Sequence, residues 1–108
     1  MSKYHNVKTV VDGIAFDSKR EAERYRELKI LHAAGVIEYV DRQYRYHLVP
    51  AQRSPDGKRV PGIDYVCDFR YRENGKLIVE DVKGVKTDAY KIKKKLMLFK
   101  YGVWIRET

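Results

Sequence analysis

LIVEDVKG, residues 77–84, is the stretch on which the interpretation of this sequence depends. An apolar run typical of a buried strand ends abruptly in Glu80, Asp81 and Lys83. Charged groups at the end of a buried strand cost free energy unless they are paired or bind a metal ion. The pattern therefore indicates a functional site at this strand end.

The strand that precedes this stretch brings another acid next to it. Asn74-Gly75 is a strong signal for a two-residue hairpin loop. Counting outward from such a loop places Asp68 directly opposite Asp81. Because side chains alternate between the two faces of a strand, both acids share one face, while Glu80 lies on the other.

Two carboxylates in this arrangement repel each other, because directly opposite cross-strand residues have Cβ atoms about 5 Å apart. A divalent cation would reverse the sign of that interaction, and Mg²⁺ or Mn²⁺ suits hard oxygen ligands. Lys83 shares the face, where its ammonium could contact a phosphate. The metal-free alternative is an ion-pair cluster of Asp68, Lys83 and Asp81, which is worth little when exposed and is costly when buried.

The flanking sequence predicts an α/β fold with core order αβββαβ, a mixed β-sheet flanked by helices and a short N-terminal hairpin. The final strand, helix and strand imply a parallel crossover. Apolar spacing predicts that the second helix buries Ala89, Ile92, Leu96 and Phe99. In chain order we predict a hairpin at Asp12-Gly13, a helix from an Asp17 or Ser18 cap to Gly35, strands over 37–48, 63–72 and 76–83, a helix from a Thr87 or Asp88 cap to Gly102, and a strand over 103–105.

Composition indicates one domain over residues 1–108, since 108 residues with 44% hydrophobic content build one modest core. Lys and Arg number 23 against 15 Asp and Glu, and the net charge of +8 favours an anionic partner such as DNA. The only cysteine, Cys67, excludes an internal disulfide and a Cys-based zinc site. The first residues lack a signal-peptide core and no run reaches about eighteen apolar residues, so we expect a cytoplasmic protein without membrane contact.

Asp68, a hairpin and Asp81-Val82-Lys83 within an αβββαβ order resemble the PD-(D/E)xK nuclease superfamily. More specifically, the segments FDSKREAERY, RQYRYHLVP, YVCDFRY and VEDVKG are similar to a small phage and prophage family of unknown function within that superfamily. The resemblance covers residues from about 13 to 105. It implies a restriction-endonuclease-like fold and a Mg²⁺-dependent endonuclease, with Mn²⁺ able to substitute and no organic cofactor. Such an enzyme would cut DNA in a structure-directed or weakly sequence-specific way during phage replication, recombination or packaging.

The resemblance also implies the ligands of the metal ion. They would be Asp68, Asp81, the carbonyl of Val82 and one acid of the first helix. Glu21 or Glu23 could supply that acid, and Glu21 is preferred because it lies along the apolar stripe of the helix. Capping of the helix together with Ser18 is the alternative role for Glu21.

Three further residues enter through the same resemblance. Lys83 would act on the phosphate or on the attacking water, without a covalent intermediate. Gln43 matches a glutamine that such nucleases often carry near the metal on the strand before the Asp strand, although alternation alone fits an ordinary strand residue equally well. Asp64 shares the face of Asp68 and is a minor alternative acid.

Basic residues in two segments are candidates for DNA contact, with a solvated surface as the alternative. Cleavage of both DNA strands would favour a homodimer. The competing function is a non-catalytic, nucleic-acid-binding accessory protein, which the acids argue against because a phosphate binder gains nothing from acids on its binding face. The candidate DNA contacts are Lys86, Lys91, Lys94 and Lys95 near and on the second helix, and Arg53, Lys58 and Arg59 in the Pro/Gly-rich connection 50–62.

Overall fold

The computed structural model describes residues 8–82 and 85–108. Over these residues the chain has a mixed α/β architecture of two helices and several small sheets. The elements are β1 Thr9–Val11, β2 Ile14–Phe16, α1 Lys19–Ala33, β3 Asp41–Arg42, β4 Arg45–Val49, β5 Gln52–Arg53, β6 Arg59–Val60, β7 Ile63–Val66, β8 Phe69–Glu73, β9 Lys76–Asp81, α2 Asp88–Tyr101 and β10 Arg106–Glu107.

Within the described residues, neither helix combines the length and the apolar character needed to cross a lipid bilayer.

The described chain divides into two compact units. The first contains residues 8–40 and 71–77, and the second contains residues 41–70, 78–82 and 85–108. The hairpin of β8 and β9 contributes its tip to the first unit and its base to the second. A single domain over 1–108 stays a prediction.

The first unit begins with the hairpin of β1 and β2, in the register Val11 opposite Ile14. Asp12 and Gly13 join the strands with φ angles of 52° and 75°, as a primed two-residue turn requires. This turn agrees with the sequence prediction, because both of its residues tolerate positive φ.

Helix α1 follows directly and is capped by Ser18, whose Oγ accepts a hydrogen bond from the backbone N–H of Glu21 at 3.1 Å. The helix buries Ala22, Tyr25 and Leu28. The Tyr25 ring lies 5.1 Å from that of Phe16, measured between ring centroids. The predicted cap and apolar stripe of this helix are both confirmed.

The second unit is built on a long antiparallel pairing between β3–β4 and β7–β8. Its register runs without a shift from Asp41 opposite Arg70 to His47 opposite Asp64. The strand predicted over 37–48 is interrupted at residues 38–40 and again at Gln43, whose φ of 51° is incompatible with a strand. The strand predicted over 63–72 is interrupted at 67–68.

The β8–β9 hairpin has the predicted turn, because Asn74 and Gly75 adopt φ angles of 53° and 74°. The predicted pairing of Asp68 opposite Asp81 is wrong in detail. The N–H of Asp68 donates to the carbonyl of Glu80 at 3.2 Å, one residue earlier than counting from the turn requires. Asp68 lies in the irregular backbone before β8, where the ladder of the hairpin no longer fixes the register.

Strand β10 runs parallel to β9, with Arg106 beside Glu80 and Glu107 beside Asp81. The predicted β-α-β crossover is therefore confirmed, and the resulting sheet has the order β10-β9-β8-β3. The final strand lies at 106–107 instead of 103–105. Residues 103–105 carry the chain from the helix to the sheet, and Val103 donates its N–H to the carbonyl of Met97 at 3.4 Å.

Helix α2 begins after Thr87, whose side chain accepts from the N–H of Tyr90, and ends at Gly102, which has a φ of 67°. Its fully buried residues are Tyr90 and Met97, and of the predicted residues Ala89, Ile92, Leu96 and Phe99 only Leu96 packs against the core, half-buried. Phe99 is 89% exposed and Ile92 is 56% exposed. Both sides carry apolar residues at helical spacing, so periodicity alone could not select between them.

The core of the second unit unites α2 with the strands. Eight buried residues form it: Tyr46, Leu48, Tyr65, Cys67, Val79, Tyr90, Met97 and Ile105. The end of α2 is fastened to β4, because Lys100 Nζ and the Tyr101 hydroxyl both donate to the carbonyl of His47 at 2.7 Å. These contacts fix the helix beside the strands that lead to the acids.

Candidate functional site

Asp81 ends β9 and is buried, with only 3% of its surface exposed. Its Oδ2 accepts a hydrogen bond of 2.6 Å from the hydroxyl of Tyr65 on β7. Burial raises the pKa of Tyr65 well above its ordinary value, and the bond to Asp81 raises it further. Tyr65 therefore stays protonated at neutral pH and holds the Asp81 carboxylate in one orientation.

Asp68 reaches the same strand end by a different contact. Its Oδ2 accepts a hydrogen bond of 2.7 Å from the backbone N–H of Val82, the residue after Asp81. The Asp68 carbonyl in turn accepts from the N–H of Gln43 at 3.2 Å. The two acids thus converge on the end of β9 although the register differs from the predicted one.

The hydroxyl of Tyr90 lies in the field of three carboxylates. Burial is the largest cause that raises the pKa of Tyr90, followed by its hydrogen bond to Glu107 and the negative charges of Asp81, Glu107 and Asp68. The ring of Tyr90 also lies 6.4 Å from that of Tyr65. Tyr90 is therefore a protonated donor beside three acids, Asp68, Asp81 and Glu107, which are called the acidic cluster below.

Glu107 on β10 is the third acid of this cluster. Its Oε2 accepts from the Tyr90 hydroxyl at 2.7 Å, and Lys86 and Lys94 place their Nζ atoms 3.0 and 3.2 Å from the carboxylate. The Tyr90 hydrogen bond is the largest cause that lowers the pKa of Glu107 to about 2, with the two lysines adding to it. Glu107 is consequently ionised across the physiological pH range.

Glu80 has its own surroundings, as the alternation of side chains predicted. It is fully buried, and its Oε2 accepts from the Thr108 hydroxyl at 3.1 Å. Asp81, and not Glu80, is therefore the residue of this pair that hydrogen-bonds the tyrosine of the cluster.

Gln43 reaches this site through its backbone, whose N–H donates to the Asp68 carbonyl, and the role of its side chain stays a prediction. It lies in the bend between β3 and β4, where its side chain is exposed. The prediction that it lies on a strand is wrong, because its left-handed φ belongs to a turn.

The helix acids belong to the first unit. Glu21 is half-buried in the first turn of α1 and Glu23 is exposed, in keeping with the predicted preference for Glu21. Lys83, the predicted catalytic lysine, lies outside the described residues. The roles of Glu21 and Lys83 stay predictions.

Asp64, the minor alternative acid, has different partners. Its carboxylate lies 3.0 Å from both Arg45 Nη1 and His47 Nδ1. The hydrogen bond from His47, followed by that from Arg45, lowers the pKa of Asp64. Asp64 is thus part of a surface ion-pair group.

In the part of the chain that the structure describes, no group of three or more His, Cys, Asp or Glu side chains is arranged to hold a metal ion. A smaller donor set is present at the end of β9 in Asp68, Asp81 and the Val82 carbonyl. Mg²⁺ commonly binds through one or two carboxylates and keeps several waters, and a carboxylate with about four lone-pair sites is not exhausted by one hydrogen bond. The chemistry of this set therefore fits a hydrated Mg²⁺ or Mn²⁺ ion.

The predicted DNA-binding lysines line one cleft in the second unit, next to Glu107. The cleft has a volume of about 230 Å³. The Nζ of Lys94 lies 4.1 Å from the centroid of the Trp104 ring on its rim. Seven residues line it: Lys86, Tyr90, Lys91, Lys94, Lys95, Trp104 and Glu107.

The other predicted basic residues lie on a separate exposed hairpin formed by β5 and β6. Arg53 donates to the Gly57 carbonyl at 2.9 Å, and Lys58 lies 3.8 Å from Asp56. At the base of this hairpin a Cβ on Gly62 would collide with the carbonyl oxygen of Val49. Glycine thus lets the two chain segments approach closely.

Sequence reasoning missed Tyr65, Tyr90, Trp104 and Glu107. For Glu107 a signal was present, since the predicted parallel crossover returns the chain to the edge of β9 near this acid. Nothing in the sequence distinguished Tyr65 and Tyr90, because the chain has nine tyrosines and many of them lie at strand-like or helical spacing.

The chain belongs to the family described as "Protein of unknown function (DUF1064)", whose model matches residues 1–107. No curated protein and no solved structure matches the chain. The family relationship is thereby established without an activity attached to it.

Proposed function

We propose that this chain is a PD-(D/E)xK-type endonuclease that hydrolyses DNA phosphodiester bonds with Mg²⁺ or Mn²⁺. The observation that carries the proposal is the hydrogen bond from the Val82 N–H to the Asp68 carboxylate. It joins the two separated parts of the D…DxK pattern at one strand end. A buried acid beside it, Asp81, accepts a hydrogen bond from the Tyr65 hydroxyl, which orients its carboxylate.

The order of elements along the chain is consistent with a restriction-endonuclease-like core. The strands of the four-stranded sheet and the two helices follow one another along the chain as α1, β3, β8, β9, α2 and β10. This is the αβββαβ order that the resemblance implies, and the last two strands are parallel.

In this proposal Asp68, Asp81 and the Val82 carbonyl would hold the metal ion, which when bound would supply Lewis-acid and water-activating chemistry. Tyr65 and the Val82 N–H orient the two carboxylates, which reduces the reorganisation required at the moment of reaction. Lys83 follows Val82 directly in sequence and would place its ammonium against the phosphate.

The resemblance also predicts a catalytic acid on α1. Glu21 is its candidate, because it is half-buried whereas Glu23 is exposed. Glu21→Gln and Glu23→Gln form a matched pair, and only Glu21→Gln should reduce cleavage. An equal loss in both variants would contradict this assignment.

A cleavage assay across linear, flap and four-way-junction DNA, with Mg²⁺, Mn²⁺ or a chelator, tests the proposal. We expect metal-dependent cleavage that Asp68→Asn and Asp81→Asn abolish. Asp12→Asn is the matched control, since Asp12 lies in an exposed turn whose positive φ asparagine tolerates. Cleavage that survives in Asp81→Asn would contradict the proposal.

The alternative function, a non-catalytic nucleic-acid-binding accessory protein, draws support from the lysine-lined cleft. Protein melting curves separate the two functions, because a bound metal raises the melting temperature by mass action. The endonuclease should be stabilised by Mg²⁺ or Mn²⁺ in an Asp81-dependent manner. A binding protein should bind DNA without metal-dependent stabilisation or cleavage.

For the endonuclease, a homodimer would cut both DNA strands. Phage DNA replication, recombination or packaging would provide its substrates.

A further inference from the structure

The cleft beside α2 combines an exposed aromatic ring with concentrated positive charge. Trp104 is 60% exposed, and Lys94 lies against one face of its ring. The exposure therefore comes largely from the ring edges and the opposite face. A single exposed apolar side chain is unremarkable in itself, but here it forms the wall of a cleft lined by four lysines.

The lysines of the cleft fall into two pairs with different surroundings. Lys86 and Lys94 are paired with Glu107. Lys91 and Lys95 are exposed, and within residues 8–82 and 85–108 neither has an ion-pair partner. They are four residues apart on α2, so their side chains lie on the same face of the helix. The cleft thus presents two adjacent uncompensated cations next to an aromatic ring.

We propose that this cleft binds one unpaired nucleotide of single-stranded DNA. The base stacks on the face of Trp104 opposite Lys94, and the adjoining phosphate lies against Lys91 and Lys95. Stacking on an aromatic side chain does not depend on base identity, and lysines beside it track the backbone. The open cleft of about 230 Å³ offers room for one planar base.

The inference rests on the proposed function for the identity of the ligand, and it narrows the substrate class. A protein that anchors an unpaired nucleotide next to its acidic cluster should prefer DNA with a single-stranded segment, such as an overhang or a flap. A fully paired, blunt duplex offers no base to Trp104.

Trp104 is the only tryptophan of the chain, so fluorescence excited selectively at tryptophan, and not at the nine tyrosines, reports on the cleft alone. The wild-type protein, in the presence of a chelator that prevents hydrolysis, is titrated with a short oligothymidylate. An abasic oligomer of equal length and a blunt duplex are the comparison ligands. We expect saturable quenching by oligothymidylate and little by the other two. Equal responses to the thymidylate and abasic oligomers, or no response to either, would overturn the inference.

Binding of labelled oligomers to variants separates stacking from charge. Trp104→Leu should weaken binding of oligothymidylate about tenfold or more and leave the abasic oligomer unaffected, and Trp104→Phe should give an intermediate affinity. Lys91→Gln and Lys95→Gln should weaken both oligomers, whereas Lys76→Gln, an exposed lysine at the start of β9, should change neither. A Trp104→Leu variant that keeps its melting temperature and its oligothymidylate affinity would overturn the inference.

These outcomes are distinguishable from failure of the endonuclease proposal. Binding is measured without metal and does not require cleavage. Quenching without any cleavage in Mg²⁺ would contradict the endonuclease proposal and support nucleotide binding in the cleft. Cleavage without quenching by any oligomer would support the endonuclease proposal and contradict nucleotide binding in the cleft.

Discussion

Asp64 and Asp81 are two aspartates of the second unit that differ in their exposure and in their hydrogen-bond partners. Asp64 is 31% exposed in its side chain and lies 3.0 Å from Arg45 Nη1 and from His47 Nδ1. Asp81 is buried and accepts a hydrogen bond from the neutral hydroxyl of Tyr65. Asp64 forms an ion pair with Arg45 on the surface, whereas the Tyr65 hydroxyl fixes the direction of the buried Asp81 carboxylate. Carboxylates that bind metal ions commonly have a hydrogen-bond partner of this second kind.

The largest expected effect tests this difference directly. Asp81→Asn should reduce cleavage more than about a hundredfold, which exceeds the usual cost of losing a residue that merely orients a ligand. It should also remove Mg²⁺-induced stabilisation. Asp64→Asn should leave both unchanged, because its charge is already paired on the surface. The measurements are single-turnover cleavage and melting curves with and without metal, and equal effects of the two substitutions would abolish the distinction.

Lys83→Ala should remove most cleavage while folding and metal-induced stabilisation stay near wild type. Its charge is expected to act on the phosphate, mainly in the transition state. Lys76→Ala, an exposed lysine at the other end of β9, serves as the control and should retain activity. If Lys83→Ala also removes the melting shift caused by Mg²⁺, the lysine is structural.

Tyr65→Phe removes the neutral donor while keeping the ring. We expect metal affinity or activity to fall about 10- to 100-fold, as is usual when a residue that orients a metal ligand is lost. The free energy of unfolding should also fall by about 1–3 kcal/mol, because a buried carboxylate loses a hydrogen bond. Tyr44→Phe is the matched control, since Tyr44 is 40% exposed. Isothermal titration with Mn²⁺ and urea denaturation measure the two effects, and unchanged metal affinity would show that Tyr65 serves stability alone.

Glu107 combines both kinds of partner, with one phenol and two lysines, and its effect should be the smallest. Its folded-state pKa of about 2 lies below the ordinary value of 4.5. The carboxylate therefore stabilises the fold above about pH 4.5, and this contribution is lost as the pH falls towards 2. Glu107→Gln should be less stable than wild type at neutral pH, and the difference should shrink over that acidic window. Urea denaturation across the pH range measures it, and a difference independent of pH would contradict the expected charge effect.

Local features of the fold were predictable from sequence. The primed turns at Asp12-Gly13 and Asn74-Gly75, the Ser18 cap and the Gly102 stop each depend on the conformational preferences of a few adjacent residues. The presence of both acids at the end of β9 followed from the turn and from alternation along the strands. Such features require no knowledge of distant residues.

The remaining features depend on contacts between distant parts of the chain. The displaced register at Asp68 arises where β8 has not yet begun, and Gln43 departs from the strand where its N–H meets the Asp68 carbonyl. Likewise, the buried face of α2 is set by the bond between Tyr90 and Glu107 and by the core around Met97. Periodicity describes each segment alone and contains no information about such partners.

Gly62 places an evolutionary constraint on the exposed β5–β6 hairpin. Since any side chain at this position would collide with Val49, substitution should be tolerated only if the base of the hairpin moves. The hairpin beyond it is exposed, so its length and charge are free to diverge. Among relatives we therefore expect glycine at this position and variable length and charge in the hairpin that precedes it. Such variation would allow the hairpin to adapt to different substrates without changes in the rest of the second unit.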